Sequence, residues 1–511
     1  MREGAARWLT VAAVLASFFW MLGTAPLFDV DEGAFSQATL EMFQRGDFLS
    51  TYLNGAPRYD KPILVYWLQA LAVAALGPTE WAFRLPSALC ATAWAWLTYL
   101  FTRRHYGVDR GLFAAVLLAT SLGVYIIGRA ATADSLLNLL LAAAMFAAWL
   151  HLSTGERKWL YAAHAAIGLG VLAKGPIAIL IPFVVTFVFC WLRRDLRTWL
   201  RAVFDWRALL LLVAIAAPWY IVILLKEGRG FIDGFIMKHN VGRFTGPVSG
   251  HTGSLFYYVP VLILLTLPFT ALLVPVAQKL KTIWRDELQL YLLLWFAFVF
   301  LFFSLSGTKL PHYLLYGYTG LVILMAVYGF DLRAAFWPMV PVLGFFVALL
   351  ALPYLVHYAL GHVADAFYRE VLSAALERFD TFYFAFLSVL SALVIFAMLE
   401  QTTPLPRKFA VFGLAAVASL STLVVPTLGF AQQGSLKEAA LLCRERHFEP
   451  ILWRINAPSF SVYRGAPTPS REPRPGDVIV TRSNRLAGLP AGLSYDLLYS
   501  KRGIVLARIR A

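Results

Sequence analysis

Charged and polar side chains cluster in a few short segments that separate long apolar runs of this sequence. The first such segment holds Asp29, Asp31 and Glu32, directly after the first apolar run. Carboxylates beside apolar runs are costly unless they are paired, hydrated or bound to a metal, so they are functional candidates. We expect hydration or helix capping for Asp29 and a functional role for Asp31 and Lys61. The other candidates are Tyr59, Asp60, Arg129, Asp134, Lys174, His239, Arg243, Lys309, His312 and Tyr313.

This set of residue types suits chemistry on an anionic phosphate. Lysine and arginine bind phosphate, and a carboxylate beside them can accept a proton or hold a divalent metal. Structural alternatives stay open: Arg129 and Asp134 could form an ion pair with each other, and Lys174 could reach toward the membrane surface. For His239, a structural role is the simpler interpretation, because no second histidine lies at metal-ligand spacing.

The composition excludes a string of soluble domains. Of the 511 residues, 60% are AVILMFWYC and 14% are charged, whereas about 25% are charged in soluble domains. We therefore interpret the chain as a polytopic membrane protein in contact with membrane lipids. The net charge of +15 fits basic loops retained in the cytoplasm, and we expect no nucleic-acid partner. Three cysteines indicate neither a disulfide framework nor a cysteine-rich metal site.

Apolar runs of about 20 residues predict membrane-spanning helices. With the N-terminus inside, the lysines and arginines of the loops fall mainly in the cytoplasm, and an odd number of spans places the C-terminus outside. Counting Ile63–Leu76 as a span would invert every later loop, so we predict an interfacial helix there. The thirteen predicted spans are Trp8–Leu27, Leu85–Phe101, Leu112–Ile127, Leu136–Leu150, Trp159–Ala173, Ile177–Leu192, Leu209–Leu225, Leu255–Val276, Leu290–Phe303, Leu314–Phe330, Phe336–Tyr354, Phe382–Leu399 and Phe409–Leu428.

The pattern predicts two units. Residues 1–430 form the membrane unit, whose first outer loop, residues 28–84, also contains an amphipathic helix over Gly33–Arg45 that Gly46 ends. Residues 431–511 form a small α/β domain outside the membrane, with a helix that Ser435 caps. The predicted fold class is an all-α polytopic membrane protein with a small α/β domain. The expected strands are Asp477–Thr481, Tyr495–Tyr499 and Gly503–Ile509.

Six motifs follow one another along the chain: Asp31-Glu32, Tyr59-Asp60-Lys61-Pro62, Arg129 to Asp134, Lys174-Gly175-Pro176, His239 to Arg243, and Ser306-Gly307-Thr308-Lys309-Leu310-Pro311-His312-Tyr313. In this order they resemble the GT-C glycosyltransferases that use polyprenyl-phosphate sugars. The similarity is greatest to the branch of lipid A aminoarabinose transferases and protein O-mannosyltransferases. The resemblance covers the whole chain and implies a GT-C fold with about thirteen spans and two interfacial helices.

The resemblance also implies roles for the motif residues. Asp31 would be the catalytic carboxylate that activates the acceptor, and Asp134 would be a second carboxylate in the cavity. The donor phosphate would be bound by Lys61, Arg243, Lys309 and Tyr313. The secondary candidates are Glu32, Tyr59, Arg129, Lys174 and His312.

Several positions depart from the pattern of this family. Asp60 stands where the lipid A branch has a glutamate associated with a divalent metal, which Asp60 and His239 would hold here. Ala34 and Phe35 replace an arginine and a tyrosine, and Tyr316 replaces a common proline. These departures argue against assuming either an aminoarabinose donor or a lipid A acceptor.

The expected function is a bacterial inner-membrane glycosyltransferase of the cell envelope. It would transfer a hexose or pentose from a polyprenyl-phosphate donor, such as one on undecaprenyl phosphate, to a lipid A-like glycolipid, a glycan or a protein. A single displacement would invert the anomeric centre. The alternative is a transporter or flippase of lipid-linked sugars, but transporters place ionisable residues at mid-membrane and often show repeated halves.

Overall fold

The computed structural model describes residues 3–242, 253–332 and 336–511. Arg243, a predicted phosphate ligand, lies outside the described residues. The side chain of His239, a predicted metal ligand, lies outside them as well.

Helices make up most of the described chain. Its first half contains α1 (Glu3–Phe19), α2 (Asp31–Arg45), α3 (Leu64–Leu76), α4 (Glu80–Tyr106), α5 (Val108–Thr120), α6 (Leu122–Arg129), α7 (Asp134–Thr154), α8 (Arg157–Lys174), α9 (Ile177–Leu192), α10 (Leu196–Val203), α11 (Trp206–Glu227), α12 (Arg229–Phe231) and a π-helix (Ile232–Val241). Its second half contains α13 (Tyr258–Leu265), α14 (Leu273–Gln278), α15 (Leu280–Ile283), α16 (Glu287–Leu305), a 3₁₀ turn (Pro311–Gly317), α17 (Tyr318–Gly329), α18 (Phe336–His362), α19 (Ala366–Leu376), α20 (Thr381–Leu399), α21 (Leu405–Ser419), α22 (Val425–Gly429), α23 (Ser435–Glu445) and α24 (Pro458–Arg464).

The chain is a helical membrane protein. Within the described residues, six helical segments are long and apolar enough to cross a membrane, and two bent helix pairs raise that number to eight. Each of the thirteen predicted spans overlaps a helix. Because several of these helices are short or carry charge, the number thirteen stays a prediction. The six segments are Asp134–Thr154, Trp206–Glu227, Glu287–Leu305, Phe336–His362, Thr381–Leu399 and Leu405–Glu445.

Two predicted spans are not continuous helices. Leu112–Ile127 is divided between α5 and α6, which are bent by 65°. Leu255–Val276 is divided between α13 and the helical segment 270–278, which are bent by 116°. The two breaks touch, because the N–H of Leu122 donates to the carbonyl of Leu267 at 2.8 Å. Helix breaks persist in membrane proteins where another segment satisfies the freed backbone groups, and these two breaks do so for each other.

Helices α2 and α3, within residues 28–84, confirm that the two predicted segments are helical; their outer, interfacial position stays a prediction. Helix α2 begins at Asp31, before the predicted Gly33, and ends where Gly46 takes a left-handed conformation with φ 64°. It is more enclosed than a surface helix, since most of its first half is buried and the Thr39 hydroxyl donates to Gln69 of α3 at 2.9 Å. A small hairpin of β1 (Tyr52–Leu53) and β2 (Ala56–Pro57) lies between the helices.

The C-terminal unit contains a four-stranded sheet of order β3-β4-β6-β5. Strands β3 and β4 are parallel, and the other neighbours are antiparallel. Helix α23 packs on one face of the sheet through an apolar cluster that includes Leu436, Val480 and Leu506. The predicted cap at Ser435 is wrong, because helical turns precede α23 without interruption and the Ser435 side chain makes no capping bond. The strands are β3 (Pro450–Leu452), β4 (Val478–Arg482), β5 (Ser494–Lys501) and β6 (Ile504–Arg510).

Helix α24 joins the C-terminal unit to the first outer loop. Asp29 accepts hydrogen bonds from the N–H of Ser459 at 2.8 Å and from its hydroxyl at 2.5 Å. The Ser459 N–H lies in the first turn of α24, where backbone donors lack helical partners, so Asp29 caps a helix of the other unit. Burial raises the pKa of Asp29 to about 7, although the hydrogen bonds from Ser459 lower it.

A buried ion pair fixes the start of the first outer loop. The guanidinium of Arg84 in α4 donates to both carboxylate oxygens of Glu32, at 2.8 and 2.7 Å. Arg84 also donates to the carbonyls of Leu22, Ala25 and Pro26, in the segment that follows α1. Glu32 in turn accepts the N–H groups of Phe28 and Ala131.

These contacts keep the buried Glu32 side chain in its charged form. Burial alone would raise the pKa of Glu32, but the ion pair with Arg84 and the hydrogen bonds bring it below its ordinary value. One carboxylate thus connects the chain after α1, the start of α2, helix α4 and the segment before α7.

Arg84→Met is expected to lower the unfolding temperature strongly, because it leaves the Glu32 charge buried without its partner, at a cost of about 3–5 kcal/mol. The matched control is Arg110→Met, which removes the arginine of the exposed Arg110–Asp331 pair and should cost at most about 1 kcal/mol. Tryptophan fluorescence of the detergent-solubilised protein during heating measures both. Equal midpoints for the two variants would contradict the role given to Arg84.

Candidate functional site

A cavity of about 470 Å³ lies where the start of α2, helix α6 and the segment before α7 meet the 3₁₀ turn at Pro311–Gly317. Asp31, Asp134 and His312 all line it. Gly123 and Leu265, which lie next to the two helix breaks, form part of its apolar wall. Its volume is in the range of about 300–1,000 Å³ that small-molecule sites occupy.

Asp31 presents a free carboxylate to this cavity. It is the first residue of α2, and its side chain is exposed. Within the described ranges, no side chain or backbone group donates a hydrogen bond to its carboxylate, whereas its neighbour Glu32 is fully engaged with Arg84. An accessible carboxylate held at a fixed place can accept a proton from a bound hydroxyl or amine.

Asp134 is engaged in a buried network instead. Its Oδ1 atom accepts hydrogen bonds from the ammonium of Lys174 at 2.5 Å and from the hydroxyl of Tyr316 at 2.8 Å. Lys174 also donates to the Tyr316 hydroxyl, at 2.5 Å, and Thr132 donates to Oδ2 at 3.2 Å. The three side chains therefore form a closed cycle in which the negative charge of Asp134 is balanced by Lys174.

The structure corrects one alternative for Arg129. Arg129 does not pair with Asp134; it donates to the carbonyls of Ser17 and Trp20 at 3.0 and 2.7 Å and lies 5.1 Å from the centre of the Tyr125 ring. These carbonyls end α1, where acceptors lack helical partners. Arg129 lines the cavity, yet its hydrogen bonds hold α1 and α6 together.

His312 lines the cavity, and Tyr313 follows it in the same 3₁₀ turn. The Nε2 atom of His312 is 3.6 Å from Asp134 Oδ1. Burial lowers the pKa of His312 to about 4, although the charge of Asp134 raises it, so the imidazole is neutral near pH 7. Tyr313 is buried between the rings of Phe303 and Tyr316, and Lys174 lies 5.7 Å from its ring centre.

The motif Tyr59-Asp60-Lys61-Pro62 does not line the cavity, but its charges act on residues that do. Arg58 pairs with Asp60 at 3.2 Å, and its charge acts on Asp31 as well. The charges of Lys61 and Asp31 both act on His312. Tyr59 points elsewhere, since its hydroxyl donates to Glu227 at the end of α11 at 2.9 Å and so anchors the loop.

Lys309 is not among the residues that line the cavity. Its ammonium donates to the carbonyls of Ser304 and Ser306 at 2.7 and 2.8 Å, at the end of α16. Burial lowers its pKa. A cation at a helix C-terminus stabilises the free carbonyls there, so Lys309 holds the turn that carries His312. The predicted contact of Lys309 with phosphate stays a prediction, as does that of Arg243.

The expected divalent metal site at Asp60 and His239 stays a prediction, because the side chain of His239 lies outside the described residues. Among the described residues, no group of three His, Cys, Asp or Glu side chains could hold a metal ion. Asp60 already lies beside a cation, because Arg58 approaches its carboxylate to 3.2 Å.

Sequence reasoning missed three residues of this region. Arg84 was assigned only to the end of a loop, although a lone arginine at the outer end of an apolar run needs a buried partner. Arg58 directly precedes the Tyr59 motif, and no sequence signal indicated its pairing with Asp60. Tyr316 was noted only as a departure from a proline, and no sequence signal indicated its bond to Asp134.

Comparisons with known proteins agree with this architecture. Residues 60–222 match the family model for dolichyl-phosphate-mannose-protein mannosyltransferase. An undecaprenyl phosphate-α-4-amino-4-deoxy-L-arabinose arabinosyl transferase 2 of Sodalis glossinidius is 36% identical over 327 residues, which are 62% of this chain and 58% of that protein. The enzyme of the same name from Pseudomonas fluorescens is 32% identical over 331 residues, 62% of this chain and 56% of that protein. The chain thus spans less than two thirds of the length of these relatives.

The fold is shared over almost the whole chain. The crystal structure of ArnT from Cupriavidus metallidurans bound to undecaprenyl phosphate superposes with a TM-score of 0.82 at 20% identity, over 99% of this chain and 98% of that one. The resemblance seen in the motifs is thereby confirmed: the chain is related in sequence to the polyprenyl-phosphate-dependent sugar transferases and has their GT-C fold.

Proposed function

We propose that this protein is an integral membrane glycosyltransferase that transfers a sugar from undecaprenyl phosphate to an acceptor of the bacterial cell envelope, on the outer face of the cytoplasmic membrane. The observation that carries the proposal is the free carboxylate of Asp31 in a cavity that Asp134 and His312 also line. The names of the relatives and the lipid in the ArnT structure support undecaprenyl phosphate as the carrier. The acceptor is a lipid A-like glycolipid, a glycan or a protein, and the sugar is a pentose or a hexose.

Asp31 acts as the general base in this proposal. An acceptor hydroxyl or amine attacks the anomeric carbon, and its proton passes to the Asp31 carboxylate. The bond between the anomeric carbon and the phosphate oxygen breaks, and both of its electrons leave with undecaprenyl phosphate. Because one displacement occurs, the anomeric configuration inverts. A base placed in this way contributes roughly 10²–10⁴ in rate.

The departing phosphate gains negative charge and needs donors. Lys61, whose charge acts on His312, and Arg243 supply them in this proposal, and neutral His312 offers one N–H. Such donors stabilise a developing anion strongly when they are held in place before the reaction. Lys309 contributes indirectly in this proposal, because it holds the turn that carries His312 and Tyr313.

In this proposal Asp134 keeps Lys174 in place and does not accept a proton from the acceptor. Its Oδ1 atom already accepts two hydrogen bonds, and a carboxylate stabilised by a lysine is a weak base. A retaining mechanism would need a second free carboxylate next to the first. The occupied state of Asp134 therefore supports a single displacement with Asp31 as the base.

Asp31→Asn is expected to lower kcat for sugar transfer by roughly 10²–10⁴ with little change in stability, because the amide cannot accept the proton. The assay measures release of undecaprenyl phosphate from a lipid-linked sugar in proteoliposomes with envelope acceptors. Asp109→Asn is the matched control, since Asp109 lies at the start of α5 and does not line this cavity. Near-normal transfer by Asp31→Asn would exclude Asp31 as the base.

The double variant Asp134→Asn/Lys174→Met tests the assignment of Asp134. Each single change leaves one buried charge without its partner, whereas the double change removes both, so the double variant should unfold at a higher temperature than Lys174→Met. It should also retain more transfer than Asp31→Asn. If the double variant is as inactive as Asp31→Asn while it remains folded, Asp134 has a direct catalytic role.

A further inference from the structure

The short helix α10 lies between the ends of two apolar helices, α9 and α11, and is locked onto α9. Trp199 is buried, and its indole N–H donates to the hydroxyl of Thr186 at 3.1 Å. The Trp199 ring lies 4.9 and 5.0 Å from the rings of Phe183 and Phe187. The orientation of α10 is therefore set by one anchored side chain, which leaves its other faces outward.

Arginines cover these outward faces and the adjoining turns. Arg193 pairs with Glu287, but within the described part of the chain no carboxylate forms an ion pair with Arg194, Arg197, Arg201 or Arg207. Asp195 and Asp205, the acidic residues of this stretch, accept backbone N–H groups at the starts of α10 and α11.

The spacing of these arginines indicates an anion between them. Arg197 and Arg201 are four residues apart on one helix, so their side chains extend from the same face. Like charges at this spacing repel each other, and an anion bound between them removes that cost. Both side chains are exposed.

Exposed aromatic residues place this region at the level of the lipid head groups. Trp191 is 58% exposed, Phe204 65% and Trp206 66%. Tryptophan is enriched where a membrane helix meets the head groups. The arginines of α10 therefore lie where lipid phosphates lie.

An apolar crevice adjoins the same helix. It has a volume of about 120 Å³ and is lined by residues of α7, α8, α9 and α11 together with Ala202 and Val203 of α10. Ala202 follows Arg201 directly, so the crevice and the arginines are neighbours. The crevice can take part of an acyl chain whose head group lies at the arginines.

We propose that α10 and the adjoining crevice form a binding site for an anionic phospholipid. Arg197 and Arg201 bind the phosphate, Arg194 and Arg207 flank it, and the crevice holds part of one acyl chain. The site is separate from the cavity that Asp31 lines, and it does not depend on the proposed sugar transfer.

Native mass spectrometry of the full chain tests the site. The protein is taken from nanodiscs of phosphatidylcholine with or without phosphatidylglycerol, and the phospholipids that stay bound are identified. The wild type is expected to retain phosphatidylglycerol in preference to phosphatidylcholine. Arg197→Gln/Arg201→Gln should lower that preference roughly 25-fold, about fivefold for each arginine removed from an anionic surface.

The matched control is Arg103→Gln/Arg104→Gln, which removes the same charge from exposed arginines at the end of α4. It should keep the preference. Equal loss in both double variants would show that net charge alone matters, and equal retention by wild type and Arg197→Gln/Arg201→Gln would overturn the site. Inorganic phosphate serves as a competitor: if it displaced the lipid efficiently, the crevice would contribute nothing and a phospholipid site would be wrong.

Discussion

The buried ion pair between Glu32 and Arg84 is the constraint on which the site depends. It joins the chain after α1, the first turn of α2, helix α4 and the segment before α7 through hydrogen bonds to both side chains and backbone. Asp31 precedes Glu32 in the chain, so the pair also determines where the Asp31 carboxylate points. A buried charge that cannot be hydrated must be paired. Glu32 is therefore fixed by Arg84, while the carboxylate of its neighbour Asp31 stays free.

Other charged residues of the cavity are likewise engaged in contacts that hold the structure together. Asp134 is balanced by Lys174 and Tyr316, and Arg129 holds the end of α1. Asp31 and His312 face the cavity beside these paired groups. The two broken helices border this cavity, since Gly123 and Leu265 beside the breaks line it. Most charged side chains around the cavity are engaged in structural contacts, and these contacts keep the few reactive side chains in place.

Much of the fold could be predicted from the sequence because local rules determine it. Apolar run length located the helices, Gly46 ended α2, and alternation with turns located β4, β5 and β6. Tertiary contacts decided the rest. The helix breaks at Ser121 and near Pro268 satisfy each other's backbone, and Ser435 could not cap a helix that continues from the preceding span. In the site, the residue types at Asp31, Glu32 and Asp134 indicated chemistry. The partner of Glu32 is Arg84 and the partners of Asp134 are Lys174 and Tyr316. These partners lie far away in sequence, and spacing alone carries no information on such pairs.

The most direct test of the central claim is an experimentally determined structure of this protein with bound undecaprenyl phosphate. We expect the lipid phosphate at the cavity that Asp31, Asp134 and His312 line, within hydrogen-bond distance of Lys61 or His312, with the Glu32–Arg84 pair intact. A phosphate bound at a different surface, or a cavity in which Asp31 turns away from the lipid, would contradict it.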